Sequence, residues 1–203
     1  MKDFGRILIG THNTGKAGEL RALLSDHPFE ILDLNSFPHL PSPEETGLTF
    51  QENAVIKATG YARGSGMYSM ADDSGLEIYA LEGAPGVHSA RYGGPELDDA
   101  GRIALVLKRL ENVPPEKRSA RFVASIALAS PDGDLRFVCE GECRGRIAEC
   151  SRGAGGFGYD PIFIPEGYDE TFGELPAQVK ARISHRARAI SIFIRYLLDF
   201  SGI

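Results

Sequence analysis

The sequence predicts an α/β fold. Three observations indicate it: an apolar run that leads through a glycine-bearing turn into a helical pattern, a well-capped amphipathic helix that precedes a second apolar segment, and two long strand patterns joined by a tight turn. Strands that alternate with helices are typical of this class. The 203 residues are 42% hydrophobic and 25% charged, so a sizeable core is available.

Charge and cysteine content exclude several classes of function. The net charge of −6 argues against general nucleic-acid binding, which needs a basic face. A local cluster of cations with a metal can still hold a small anion. No segment approaches a membrane span, and the apolar run Ile7–Ile9 is too short for a signal peptide. The three cysteines lack paired spacing, so we expect no disulfide framework or zinc site and a cytoplasmic location.

The first strand is predicted over Arg6–Gly10, before Thr11–Lys16 and a helical pattern. A helix that starts after such a turn points backbone N–H groups at an anion. The glycine spacing before Lys16 nearly matches a P-loop. Ala17, however, stands where that loop needs a Ser or Thr to hold Mg²⁺, which argues against a P-loop NTPase.

A second strand is predicted over Phe29–Leu34, followed by a stiff, proline-rich loop that carries Glu44 and Glu45. Thr49 and Glu52 then form a capping box that starts a helix.

Lys57 falls within the apolar face of that helix. A lysine in such a stripe either extends its ammonium to water or has a buried anionic partner, and both readings stay open here.

The stretch Met70–Gly75 is interpreted as a strand, an acidic turn and a further strand. Its adjacent carboxylates, Asp72 and Asp73, suit a hard cation, and such a cation suits a phosphate substrate. An ordinary polar turn has the same composition.

A glycine-rich loop, Glu82–Gly94, is followed by a predicted helix over Asp98–Leu110. Long strands are then predicted over Arg121–Ala129 and Leu135–Arg146, joined as a hairpin by the turn between them.

The loop Arg152–Pro161 satisfies G-x-G-x-x-G but does not open a helix, so it is no dinucleotide fingerprint. Phe157 or Tyr159 could stack on a nucleobase, or both rings could pack in the core.

A last helix is predicted from the N-cap Ser184 to about Asp199. Arg186 falls on its apolar face, while Arg188 and Arg195 point away. An inward arginine normally meets a carboxylate or a ligand.

A series of these motifs stands in the order of a known family. They are Thr11–Lys16, Glu44–Gly47, Asn53–Ala58, Ala71–Leu76, Ala84–Gly86, Ser89–Tyr92, Phe157–Pro161 and Ser184–Arg186. Across nearly the whole chain they resemble the Ham1/inosine triphosphate pyrophosphatase family of house-cleaning enzymes.

The resemblance implies a long mixed β-sheet flanked by helices, with two lobes and the active-site cleft between them, in one domain over residues 1–203. It implies hydrolysis of ITP, dITP, XTP and dXTP to the monophosphate and pyrophosphate, which cleanses the nucleotide pool. The implied cofactor is Mg²⁺, for which Mn²⁺ could substitute. Members are usually homodimers, and neither nucleic acid nor membrane is an implied partner.

The resemblance also implies roles for matching positions. The phosphates would be held by Thr11, His12, Asn13, Thr14, Gly15 and Lys16, with Lys57 as an additional candidate. Glu44 and Asp73 would serve the metal, and Asp73 would also accept the proton. The substrate would be touched by Ser74, and the base pocket would comprise Phe157, Gly158, Tyr159, Asp160, Lys180, His185 and Arg186.

Three other functions stay open at this point. They are a P-loop GTPase or kinase, a pyrophosphatase with another base preference such as modified pyrimidines, and a sensor that binds a nucleotide without turnover.

Overall fold

A computed structural model describes residues 5–201 apart from Asp26 and Pro28, with only the backbone of Ser201. The described residues form six strands and five α-helices. The strands are β1 Arg6–Ile9, β2 Glu30–Asp33, β3 Tyr68–Ile78, β4 Ser119–Ala129, β5 Leu135–Ile147 and β6 Phe163–Pro165. The helices are α1 Thr14–Leu24, α2 Phe50–Ser65, α3 Asp99–Arg109, α4 Ala177–Ile183 and α5 His185–Ser201.

The strands form one mixed sheet in the order β2-β1-β3-β4-β5-β6. Strand β1 runs parallel to both β2 and β3, whereas β5 and β6 are antiparallel. This confirms the predicted α/β class with a long mixed sheet. Within the described ranges, every helix is too short or too polar to cross a membrane.

The chain divides into two compact units. The first comprises residues 1–73, 124–141 and 186–203, so far as these are described. Its main core joins apolar side chains of β1, α1 and α5, such as Ile7, Leu20 and Phe193, with Met70 from β3. A second cluster is built from alanines of α2, including Ala54 and Ala58, against alanines of β3 and β4.

The second unit comprises residues 74–123 and 142–185. Its core contains the ring of Phe122, whose centroid lies 4.6 Å from that of Phe163 and 6.3 Å from that of Phe172. Helix α3 contributes Ile103 and Val106 to the same core. Each unit therefore has a core of its own, while the prediction of one domain over the whole chain stays a prediction.

The stretch around the two aspartates is not a turn, so that prediction was wrong. Strand β3 runs without interruption from Tyr68 to Ile78, and both carboxylates are buried, with Asp72 1% and Asp73 6% exposed. Turn-forming residues stay in a strand here because ion pairs compensate their burial.

The predicted capping box at the start of α2 is confirmed, with one difference. The Thr49 hydroxyl accepts a hydrogen bond from the Glu52 amide at 3.1 Å. The Glu52 carboxylate accepts from the amide of Leu48 at 2.6 Å, one residue before the cap. The helix ends at Gly66, which adopts the left-handed conformation with φ of 67°.

The proline-rich loop lies against two glycines of α2. A Cβ on Gly60 would come within 2.6 Å of Pro43, and one on Gly64 within 2.6 Å of Leu40. The bare helix surface therefore brings the loop with Glu44 and Glu45 close to the backbone of α2.

The predicted hairpin is confirmed, because β4 and β5 are sheet neighbours and a turn closed by the Ser130 amide on the Asp134 carbonyl joins them. The glycine loop before Asp160 opens no α-helix, as expected. A short 3₁₀ turn, Asp160–Ile162, leads from it directly into β6.

Candidate active site

Asp72 and Asp73 have different partners because neighbouring residues of a strand point to opposite faces of a sheet. Asp73 contacts Lys57 of α2. Asp72 contacts Lys16 of α1 and Arg186 of α5. The paired carboxylates of the sequence are therefore two separate ion-pair sites in the first unit.

On the α2 face, Lys57 donates a hydrogen bond to Asp73 Oδ1 at 2.7 Å, and both residues are more than nine-tenths buried. The Lys57 ammonium also lies 3.3 Å from Glu45 Oε1. This decides the open reading of Lys57 in favour of a buried anionic partner. Burial raises the pKa of Asp73, and Lys57 opposes that effect only in part.

On the opposite face, Asp72 lies 3.0 Å from Lys16 Nζ and 3.5 Å from the Arg186 guanidinium. Arg186 is 1% exposed and also donates to the Glu19 carboxylate. Burial alone would raise the pKa of Asp72, but Arg186 and Lys16 outweigh it, so the pKa lies well below its usual range. Asp72 therefore stays ionised as the anchor of two cations.

The predicted phosphate loop is the entry to α1. Asn13 caps the helix, and its side-chain oxygen accepts from the Lys16 amide at 2.9 Å. The Asn13 amide in turn donates to the Thr11 hydroxyl at 3.2 Å. His12 is exposed, and its ring centroid lies 6.2 Å from that of Tyr61 with 67° between the planes. Thr14 and Gly15 form the first turn of the helix. The strand–turn–helix prediction for this segment is confirmed.

The two acidic residues of the proline-rich loop differ in position. Glu44, the predicted metal ligand, is exposed, whereas Glu45 is half-buried and contacts Lys57. The sequence marked both as an acidic pair but offered no reason to choose Glu45. It also missed Glu19, for which the only sign was its place beside the buried Leu20 on α1.

A divalent metal fits Asp73 in one respect. Asp73 Oδ2 is buried and has no hydrogen-bond partner among the described residues, so a hard oxygen donor is available beside the Lys57 pair. No group of three or more His, Cys, Asp and Glu side chains within the described ranges is arranged to hold a metal ion by itself. Any ion bound here would complete its coordination with water or substrate oxygens.

In the second unit, Asp160 and Lys180 form a buried pair. The Lys180 ammonium also lies 4.7 Å from the centroid of the half-buried Phe157 ring. Tyr159 is 5% exposed and donates its hydroxyl to the Ser89 carbonyl at 2.9 Å. The core reading therefore holds for Tyr159, while Phe157 keeps an exposed part.

The remaining predicted positions of this unit are Ser74 and His185. Ser74 is partly exposed on β3. His185 is 4% exposed and stacks on Phe122, with ring centroids 4.8 Å apart and an angle of 12° between the planes. It begins α5 directly after Ser184, where the sequence predicted the helix N-cap.

The structure thus brings together part of the predicted set within each unit. In the first unit Lys16 and Arg186 meet at Asp72, and Lys57 meets Asp73. In the second, Phe157, Asp160 and Lys180 form one cluster. The assignment of all these positions to one substrate site stays a prediction.

Comparison with known proteins identifies the family. The model of the Ham1 family matches residues 7–196, so the chain belongs to this family. A dITP/XTP pyrophosphatase from Geobacter sulfurreducens is 45% identical over 192 residues, covering 95% of this chain and 96% of the relative. Another from Geobacillus kaustophilus is 48% identical over 185 residues, covering 91% and 90%.

Solved structures agree with the family and with the fold. A HAM1 protein from Coxiella burnetii superimposes with a TM-score of 0.87 at 42% identity, covering 96% of this chain and 98% of its own. The Ham1 protein of Staphylococcus aureus gives a TM-score of 0.83 at 37% identity, covering 95% and 97%. The resemblance inferred from the motifs is therefore confirmed.

Proposed function

We propose that this protein hydrolyses the non-canonical purine nucleoside triphosphates ITP, dITP, XTP and dXTP to the monophosphate and pyrophosphate. The observation that carries the proposal is the near-complete likeness to relatives named dITP/XTP pyrophosphatase. The biological role that follows is removal of damaged purines before polymerases incorporate them. A P-loop GTPase or kinase is disfavoured by the family and by Ala17.

Asp73 is the proposed general base. Attack of water on the α-phosphorus needs a group that accepts the water's proton. A carboxylate whose pKa is raised by burial is better suited to this than an ordinary one. The neighbouring Asp72 has its pKa shifted in the opposite direction. Asp72 would therefore stay ionised and hold its two cations, while Asp73 would accept the proton.

The positive charge that neutralises the triphosphate would come from the start of α1 and from α2. Residues Thr11 to Lys16 offer hydroxyl, amide and ammonium donors, and Asp72 fixes Lys16 at their end. Lys57 would add a second ammonium beside Asp73. Positive groups held in place before the reaction favour the charge that develops on the phosphates.

Mg²⁺ would be held by Asp73, through its unpartnered Oδ2, together with Glu44. When bound it would neutralise phosphate charge and lower the pKa of coordinated water, and Mn²⁺ could replace it. Glu45 already contacts Lys57 and would keep that ammonium in place.

Recognition of the base is assigned to the Phe157 cluster. The exposed part of the Phe157 ring would stack on the purine, next to Gly158, Tyr159 and Asp160. Donors on Lys180, His185 and Arg186 would pair with the 6-oxo group of hypoxanthine or xanthine and meet the amino group of adenine donor to donor. Ser74 would contact the substrate.

Two further parts of the proposal concern the whole chain. All 203 residues would form one pyrophosphatase domain that assembles as a homodimer. A cytoplasmic location would bring the enzyme to its nucleotide substrates, which fractionation of cells can test.

The proposal is tested by product analysis. ITP, XTP, GTP, ATP and a modified pyrimidine triphosphate are each incubated with the protein, with Mg²⁺ or with EDTA, and pyrophosphate is separated from orthophosphate. We expect pyrophosphate from ITP and XTP, little from ATP or GTP, and none with EDTA. Orthophosphate as the product would favour the P-loop reading. Tight ITP binding without turnover would favour the sensor.

A further inference from the structure

Two carboxylates hold the loop that carries Phe157. Each accepts a hydrogen bond from one of two consecutive backbone amides. The Phe157 amide donates to Asp160 Oδ2 at 2.9 Å. The next amide, that of Gly158, donates to Asp99 Oδ2 at 3.0 Å. Asp160 was already assigned to the base pocket, but Asp99 has no role in the function proposed above.

The loop needs such contacts because glycine lies on both sides of the ring. Gly156 and Gly158 both have positive φ angles, 72° and 59°. Glycine populates many backbone conformations without steric cost, so a segment of this kind has little stiffness of its own. Hydrogen bonds to the loop backbone therefore help to set the direction in which Phe157 points, together with the Lys180 ammonium over its ring.

Asp99 is itself fixed in place. It is the first residue of α3, where the partial positive charge of the helix start favours a carboxylate. Its Oδ1 accepts from Arg102 one turn later at 2.7 Å, and Arg102 also donates to the Leu97 carbonyl. The carboxylate thus connects a stable helix end to a loop 59 residues further along the chain.

The charge of Asp99 strengthens this contact. Burial would raise the pKa of Asp99, but hydrogen bonds from Arg102 and from the Gly158 amide outweigh it, so the pKa is lowered. The side chain is therefore ionised at neutral pH. A hydrogen bond to an ionised acceptor is about twice as strong as one between neutral groups.

We propose that Asp99 is a positioning residue for purine binding: by accepting from the Gly158 amide it holds the Phe157 ring in the orientation that stacks on the base. This inference rests on the function proposed above. The function proposed above assigns Asp99 no contact with the reacting phosphates, so we expect it to affect binding of the base and to leave the chemical step unchanged.

The test compares Asp99→Ala and Asp99→Asn with Asp98→Asn. Asp98 is the N-cap of α3, where its side chain accepts from the Gly101 amide at 2.8 Å. Asparagine is an equally good cap, so Asp98→Asn removes a neighbouring charge and keeps the helix. Asp99→Asn keeps an oxygen acceptor without charge, and Asp99→Ala removes the acceptor.

The first readout is amide hydrogen exchange of a peptide that contains Phe157 and Gly158, which does not depend on activity. We expect Asp99→Ala to speed exchange there by roughly three- to tenfold, the factor for an ordinary net hydrogen bond, because solvent at the half-exposed carboxylate weakens the extra contribution of its charge. Asp99→Asn should fall between it and the wild type. Asp98→Asn should match the wild type.

The second readout is kinetic. Asp99→Ala should raise KM for ITP by a similar factor and leave kcat within about twofold, because loss of binding that the ground state and the transition state share equally raises KM without changing kcat. A fall in kcat at unchanged KM overturns the inference, as does unchanged exchange in the loop. Faster exchange spread evenly over α3 would also overturn it, since that is a purely structural role.

Failure of the proposed function is distinguishable from failure of this inference. If the wild-type protein binds ITP without turnover, the dissociation constant for ITP replaces KM, and Asp99→Ala is expected to weaken it by the same factor. If the wild type does not bind ITP, the proposed function and this inference both fail. They fail even if hydrogen exchange still shows that Asp99→Ala loosens the loop.

Discussion

At the scale of single residues, the environments of Asp72 and Asp73 differ in how strongly they favour the ionised carboxylate. Asp72 is enclosed with two cations that keep it ionised, whereas Asp73 shares one ammonium with Glu45 and has a carboxylate oxygen without a partner among the described residues. We therefore expect isosteric amide substitutions at the two positions to separate stability from activity.

Asp73→Asn is expected to lower kcat for ITP by roughly 10²–10⁴, the contribution typical of a general base. Thermal unfolding should change only modestly by comparison, because Glu45 still lies beside Lys57 after the substitution and asparagine keeps an oxygen that can accept from the ammonium. The measurement is steady-state kinetics together with a melting curve. Turnover close to the wild type would remove Asp73 from the mechanism.

Asp72→Asn is the matched substitution one residue earlier. It should destabilise the fold by about 3 kcal/mol, the lower end for breaking a buried ion pair, because Glu19 still neutralises Arg186. Denaturant unfolding measures this. If Asp72→Asn leaves the unfolding midpoint unchanged, the Asp72–Arg186 pair contributes nothing net to stability.

At the scale of elements, the contact between α2 and the proline-rich loop depends on a missing side chain. Gly60→Ala would raise helix propensity, but the new methyl would meet Pro43 at 2.6 Å. We expect a net loss of stability of about 1–3 kcal/mol, the usual cost of overpacking, and lower activity because Glu44 and Glu45 move with the loop.

Gly18→Ala in α1 is the control for that substitution. Gly18 is exposed, and a Cβ there meets no atom within 4 Å among the described residues. The same change should therefore stabilise the protein by about 0.5–1 kcal/mol through helix propensity alone. A stabilising Gly60→Ala would show that the loop can move away without cost.

Strand β5 supports a prediction about thiol reactivity. Burial raises the pKa of Cys139 to about 12, so at pH 8 its reactive thiolate is scarce, while Cys150 after the strand is exposed. A disulfide reagent at pH 8 should modify one thiol rapidly in the folded protein and the others only on unfolding. Cys150→Ser should abolish the rapid phase, and its persistence would contradict the assignment.

The individual elements show which parts of the structure can be predicted from the sequence. The capped start of α2, the β4–β5 hairpin and the inward Arg186 followed from local chemistry and periodicity, and the structure confirms them. The acidic stretch was misread because Asp, Ser and Gly normally favour turns. A strand is stable there only because of tertiary partners, which are Lys16, Lys57 and Arg186. Each of these contacts joins residues at least 16 positions apart in the sequence. Asp99 was missed for the same reason.

At the scale of the whole molecule, the homodimer is the part of the proposal with the simplest test. Size-exclusion chromatography with light scattering should give twice the chain mass of 22.0 kDa. Dilution across a wide concentration range then measures the dissociation constant. A monomer at all concentrations that still hydrolyses ITP would separate catalysis from assembly.

The half-exposed Phe157 ring has a practical consequence for spectroscopy. The chain contains no tryptophan, so Phe157→Trp would install a single fluorophore selectively excited near 295 nm. Its emission would come from one loop, 4.7 Å from the position of the Lys180 ammonium over the present ring. Quenching on addition of nucleotide, nucleoside monophosphate or pyrophosphate would then report which part of the ligand reaches that loop, in real time and without turnover.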